Sequence, residues 1–192
     1  MRLFASRHPG NVAGIVFVDS AVENQLDMEK ALPAVAANDK RGIAHLRACA
    51  DPQRTAETAA NCARTAPEDF PPSLAADYNR AFNLSYSQTV FSEVESFVNR
   101  DSDEVVAESR HFGKMPLIVL TRGALSSDLP KDQAQLEWKL WNGLHDKLAK
   151  LSAVGINRVV PGSGHYVHLD KPDAVVNAVS EVVKAAQKHR RR

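Results

Sequence analysis

Ile156-Asn157-Arg158-Val159-Val160, running into Pro161-Gly162-Ser163-Gly164-His165, is the stretch whose reading decides the fold. A largely apolar run breaks at a glycine-rich turn that presents one histidine. An amphipathic segment then opens from Asp170 and Pro172. This order reads as a strand carrying an imidazole to the rim of a sheet, followed by a helix packing back underneath. A histidine so placed serves as general base for a nucleophile. The usual setting of that nucleophile is missing, because no Gly-x-Ser-x-Gly turn occurs in the 192 residues.

Working outward, two more runs resemble Ile156 to Val160: Val12 to Val18 and Leu117 to Thr121. All three are rich in β-branched residues and bounded by Gly or Pro, as parallel strands covered on both faces should be. Residues 2 to 8 read as the last turns of a helix that stops at Pro9-Gly10. Leu136, Leu140, Leu144, Leu148 and Leu151 recur at helical spacing, with Trp138 and Trp141 alongside. Val175, Val176, Val179, Val182 and Val183 form a second stripe after the histidine turn. Strand and helix alternating in this way predict an α/β fold, a partial doubly wound parallel sheet.

Strand signals vanish between Asp19 and Lys114. Helical segments take their place: Glu23 to Ala37, Asp39 to Ala50, Thr55 to Arg64, Pro72 to Phe82 and Ser87 to Asn99. Breaks are expected at Asn38, Asp51-Pro52, Pro67 and Pro71-Pro72. The expected organisation is therefore a core of residues 1–21 and 114–192, with a helical insertion of residues 22–113 over one end of the sheet. Three strands make a small sheet. The chain also opens partway through a helix, so an upstream part of the fold is expected to be absent from it.

Composition excludes several classes. Hydrophobic residues are 44% of the chain, charged residues 24%, and the net charge is +1. Neither a nucleic acid nor an acidic membrane is an expected partner of so balanced a chain. The basic run Lys188-His189-Arg190-Arg191-Arg192 reads as a frayed, solvated tail. No apolar run is long enough to span a bilayer, and the opening residues do not read as a signal peptide. Cys49 and Cys62 lie in an Ala-rich helical region. They read equally as two buried thiols or as a short-loop disulfide worth on the order of 3 kcal/mol, and only the bridge would argue for an oxidising compartment.

Several of these residues together resemble the α/β-hydrolase fold. Arg2-Leu3-Phe4-Ala5-Ser6-Arg7-His8-Pro9 and Val12-Ala13-Gly14-Ile15-Val16-Phe17-Val18-Asp19 look like the helix and strand that follow the nucleophile turn of that family. Gly162-Ser163-Gly164-His165, with Asp170-Lys171-Pro172, looks like its closing histidine turn. The insertion falls where the family places its helical cap. The resemblance implies a cap-bearing serine hydrolase, carboxylesterase-like, with His165 as general base. It also implies that the nucleophile elbow and the oxyanion donors lie upstream of Met1.

The acid that orients the imidazole has two candidates. Members of the family commonly carry it after the strand Leu117 to Thr121, where Ser126 occupies the usual place and Asp128 lies further on. Others carry it after the strand that follows the nucleophile helix, which here is Asp19. Asp19 also sits at the carboxyl end of a strand, on the rim where open α/β sheets bind ligands. It is the preferred candidate, with Asp128 the alternative. Ser163, Ser20 and Ser6 lack the frame of a substitute nucleophile.

His165, His168 and Asp170 have a spacing that invites a metal, but a strand-exit loop would scatter them, and His168 reads as a partly buried turn residue. No metal and no cofactor is expected. Phe82, Tyr86, Phe91 and Phe97 read as helix packing rather than as an acyl pocket. The expected function is ester hydrolysis by a Ser–His–Asp relay whose serine is not in this chain, acting on a small-molecule ester. The alternative is a non-catalytic module that self-associates through the sheet edge at residues 12–18.

Overall fold

The computed structural model describes residues 1–68, 70–98, 102–108 and 111–190, apart from the side chains of residues 29, 102, 189 and 190. The chain divides into two compact units, Met1–Ala34 with Ser102–Arg192, and Val35–Asp101. The second unit is narrower than the insertion expected at residues 22–113.

The first unit is mixed α/β around a small parallel sheet. Its strands are β1 (Ile15–Val18), β2 (Leu117–Arg122) and β3 (Ile156–Val160), in the order β1-β2-β3. Ile15 pairs with Leu117 and Val18 with Leu120, while Ile118 pairs with Ile156 and Arg122 with Val160. The first strand begins at Ile15 rather than at Val12. A helix α1 (Arg2–Arg7) ends before Pro9, and Pro9–Asn11 form a 3-10 turn that delays pairing. The ladder starts where the Ile15 amide donates to the Pro116 carbonyl at 2.9 Å.

Side chains of a strand alternate between faces, and the sheet sorts its apolar residues accordingly. Ile15, Phe17, Leu117 and Val119 form one cluster with Ala5 of α1 and with Trp141, Leu148 and Ala149 of α7 (Lys131–Ala149). Ile118, Leu120 and Val160 form the other with Val167 of α8 (Val167–Asp170) and with Ala178 and Val182 of α9 (Pro172–Arg190). The central strand β2 is buried on both faces, as expected. The edge strand β3 is not, for Ile156 is 44% and Val159 37% exposed. Coverage on both faces therefore holds for the middle of this sheet and fails at its margin. No described helix is long and apolar enough to cross a membrane.

Three boundaries differ from expectation for local reasons. Asp27 lies in a 3-10 helix Gln25–Lys30, entered through Asn24 at φ 58°. Helix α2 (Pro33–Ala50) then runs unbroken through Asn38. Asparagine costs a helix interior only a few tenths of a kcal/mol against average residues, and the Asn38 carboxamide oxygen accepts from Arg41 one turn on. Finally, α9 stays helical through Arg190, so most of the basic tail is not frayed; residues 191 and 192 lie outside the described residues.

The second unit holds most of α2 together with α3 (Ala56–Cys62), α4 (Pro72–Ala81) and α5 (Leu84–Ser96). The Thr55 hydroxyl caps α3 by accepting the Thr58 amide at 3.1 Å, and Asn83 caps α5 by accepting the Tyr86 amide at 3.1 Å. The expected end of the last segment, Asn99, lies outside the described residues. Cys49 and Cys62 are joined in a disulfide with Cα atoms 5.7 Å apart, tying the ends of α2 and α3 together. Phe70, Tyr78, Phe82 and Tyr86 make a chain of ring contacts with centroids 4.8 to 5.0 Å apart. Phe82 and Tyr86, two of the four aromatics expected to pack helices, belong to this chain of rings. A further α6 (Ser102–Ala107) belongs to the first unit, where Arg7 of α1 bridges Glu104 and Glu108 at 2.9 Å each.

One glycine fixes where the histidine turn meets the sheet. A Cβ on Gly123 would lie 2.5 Å from the Val160 carbonyl oxygen and 2.8 Å from Pro161 Cα, both of them backbone atoms. Gly123→Ala is expected to lower stability by about 1–3 kcal/mol through overpacking, read as a lower urea midpoint. An unchanged midpoint would mean that the two segments are free to separate.

Candidate functional site

The site lies at the carboxyl ends of the three strands and starts from Asp19, the residue after β1. Its amide continues the ladder, donating to the Leu120 carbonyl at 2.8 Å. Its backbone then turns into the left-handed region at φ 41°. Few residues other than glycine adopt that conformation, Asp and Asn being the usual exceptions. The side chain is fully buried.

Four hydrogen bonds converge on the Asp19 carboxylate. Oδ1 accepts from the Arg122 amide at 3.0 Å and from Trp141 Nε1 at 2.8 Å. Oδ2 accepts from Arg122 Nη1 at 3.3 Å and lies 2.9 Å from His165 Nδ1. Burial by itself pushes the carboxyl pKa up. The Arg122 amide, Trp141, His165 and the Arg122 charge together outweigh it and hold the group below its ordinary range. Asp19 is therefore ionised at neutral pH.

His165 is held by its backbone. The turn begins at Gly162, at φ 70°. Ser163 is fully buried, its hydroxyl donating to the Val160 carbonyl at 2.9 Å. The Ser163 carbonyl accepts from the amides of Gly123 and Ala124 at 3.1 and 2.9 Å, and the Gly164 amide donates to Asp170 Oδ2 at 2.7 Å. The turn is thus tied to the end of β2 on one side and to α8 on the other. The His165 side chain is 60% exposed. With Nδ1–H committed to a carboxylate acceptor, the basic lone pair of the neutral ring resides on Nε2. An exposed imidazole on a buried, ionised carboxylate can accept a proton at Nε2 and hold the resulting cation.

Asp128, the alternative acid, is exposed and its Oδ1 accepts from the Ser127 hydroxyl at 3.1 Å. The structure brings His165 to Asp19 and not to Asp128. Ser163 is committed to Val160, while Ser6 and Ser20 have no glycine frame; the Ser20 hydroxyl is buried without a partner among the described residues. His168 is exposed on α8 rather than partly buried. The Asp170 carboxylate serves the turn instead of joining the two histidines.

Four residues behind the pair escaped the sequence reading. Arg122 ends β2 and reaches both Asp19 and Glu137 of α7. Its guanidinium also lies over the Trp141 ring, 5.3 Å from the centroid. Trp141 and His145 are neighbours one turn apart on α7, with ring centroids 4.8 Å apart. His145 is fully buried, its Nδ1 4.0 Å from Asp19 Oδ1, its Nε2 facing the Ser20 carbonyl at 3.0 Å. Desolvation pushes this imidazole below its ordinary range, against the opposing pull of the Ser20 carbonyl and Asp19. Its Nδ1 lies 2.7 Å from the Thr121 hydroxyl, whose own proton goes to Asn157 Oδ1 at 2.6 Å. Trp141 was visible in sequence only as a member of an apolar stripe, and His145 continues the same face.

Comparison with protein-family models, with curated proteins and with solved structures returned no match.

Because the Asp19 pKa is depressed on folding, its contribution to stability is present above the ordinary carboxyl value of 3.8 and is lost as pH falls through the lower folded value. Asp19→Asn is expected to cost about 3 kcal/mol at pH 7, as breaking a buried pair does. The gap between the two proteins narrows below about pH 4. Thermal melts from pH 7 to pH 3 read it; a gap that stays constant would show that the negative charge contributes nothing.

Proposed function

We propose that this chain is the histidine- and acid-bearing part of a cap-bearing serine hydrolase of the α/β-hydrolase type, acting on small-molecule esters. The 2.9 Å contact between His165 Nδ1 and the buried Asp19 carboxylate carries the reading. In this assignment Asp19 holds the ring and stabilises its cation. His165 Nε2 takes the proton of an attacking serine and returns it to the leaving alcohol, then repeats the transfer with water. The serine and the oxyanion donors come from outside these 192 residues. The three parallel strands are then one margin of a larger wound sheet, and Val35–Asp101 corresponds to the cap. The order of helix, strand, helical unit, strand and histidine turn supports the assignment, as does the placement of the pair at the carboxyl ends of the strands.

The test is a chain extended at its N-terminus through an in-frame Gly-x-Ser-x-Gly turn. It is expected to hydrolyse nitrophenyl esters and to be labelled by a fluorophosphonate, whereas the 192-residue chain is not labelled. Asp19→Asn is expected to lower kcat of the extended chain on the order of 10⁴-fold, and His165→Ala by at least as much. Activity indifferent to either substitution would end this assignment.

A second reading, a self-associating module without catalysis, has its own observation. Among the described residues β1 pairs with β2 alone, so its other edge presents backbone groups without a strand partner there on an apolar strand. Such edges recruit strands. A second copy of this chain is the partner it fits. Light scattering of the 192-residue chain should then give a dimer or larger species that Val16→Pro disperses, and a monodisperse monomer would refute this reading.

A further inference from the structure

Outside the His165 site, one group of three side chains of metal-ligating type converges among the described residues: His45, Cys49 and Cys62. Their donor atoms all lie within 4.8 Å of one another. His45 and Cys49 are four residues apart on α2 and so share one face of that helix, while Cys62 is the last residue of α3. His45 is exposed, Cys49 buried and Cys62 half-buried, which gives the cluster one open side.

One of the three pairs already has the spacing of a coordination shell. Metal–sulfur bonds of about 2.3 Å and metal–nitrogen bonds of about 2.0–2.1 Å, at a tetrahedral angle, set the nitrogen and sulfur ligands about 3.6 Å apart. His45 Nε2 lies 3.5 Å from Cys49 Sγ. A disulfide sulfur is a weak acceptor, so the bridge gives this exposed imidazole little reason to face it rather than water. The two sulfurs must move apart to about 3.8 Å, and His45 and Cys62, whose donor atoms lie within 4.8 Å, must come to about 3.6 Å in the same geometry. With the Cα atoms 5.7 Å apart, side-chain rotation supplies that movement.

We infer that reduction of the Cys49–Cys62 bond turns the joined ends of α2 and α3 into a binding site for a zinc-class divalent ion, with His45, Cys49 and Cys62 as ligands. In the first step a dithiol reductant gives two electrons and two protons to the disulfide; the S–S bond breaks, two thiols form, and the reductant becomes a cyclic disulfide. In the second step the ion takes the two thiolate sulfurs and the His45 nitrogen, and two protons leave to solvent. Two thiolates balance the charge of the ion, and a water fills the fourth position. Thiolate and imidazole donors select zinc-class ions over magnesium or calcium. Bridge and metal are mutually exclusive, so the same three residues hold α2 to α3 in either redox state.

The test uses the full 192-residue chain, reduced with dithiothreitol, desalted under argon and titrated with Co(II). One Co(II) per chain is expected, with a thiolate-to-cobalt absorption band in the near ultraviolet that Zn(II) abolishes. The unreduced chain should show no such band. His45→Ala, a change at an exposed position that leaves the fold intact, is expected to weaken binding more than about a hundredfold, since even outer-shell partners cost ten- to a hundredfold. A reduced chain without the band would overturn the inference, and so would a His45→Ala chain that binds as tightly as the parent.

Discussion

A carboxylate excluded from water yet kept ionised is the constraint on which the first unit depends. Moving such a charge out of solvent carries an effective penalty of several kcal/mol. Asp19 offsets it with four hydrogen bonds from Arg122, Trp141 and His165. These donors come from the end of β2, the middle of α7 and the turn after β3. Satisfying one carboxylate therefore brings the end of β2 and the middle of α7 to the end of β1, where the imidazole of the turn meets them. The left-handed backbone at residue 19 lets the chain leave the ladder just where the side chain must turn inward.

The apolar clusters on the two faces of the sheet set the stage for that charge without specifying it. Either cluster would tolerate small shifts of α7 or α9, since hydrophobic burial is not directional. The polar contacts remove that freedom. Trp141 belongs to both systems at once, its ring in the apolar cluster and its Nε1–H on Asp19. The guanidinium stacked on its face extends the same arrangement to Glu137. His145, enclosed, fills the space behind with its ring nitrogens against the Ser20 carbonyl and the Thr121 hydroxyl.

Much of this was legible in the residues. The three β-branched runs announced the strands, because burial in a parallel sheet leaves few alternatives to Val, Ile and Leu. The histidine turn announced itself through Gly162, Gly164 and the following Pro172. Asp19 stood out because it ends a strand on the rim. Its partners did not, since Arg122 and Trp141 lie more than a hundred residues away, and strand register brings the one near and the packing of α7 on the sheet the other. The expected helix break at Asn38 was illegible for the opposite reason: its cost is small enough for neighbouring contacts to decide. Exposure of Ile156 and Val159 had no signature either, because β-branched residues look the same at the middle and the margin of a sheet.

The turn that carries His165 is fastened by main-chain atoms, through the Ser163 carbonyl and the Gly164 amide, rather than by the imidazole itself. Architecture and reactivity are therefore separable at this point of the molecule. The polypeptide path around residue 165 is indifferent to what that residue carries, so a different functional group grafted there would inherit the same address above Asp19. Such independence makes the position a natural place for chemistry to be exchanged while the surrounding frame stays as it is.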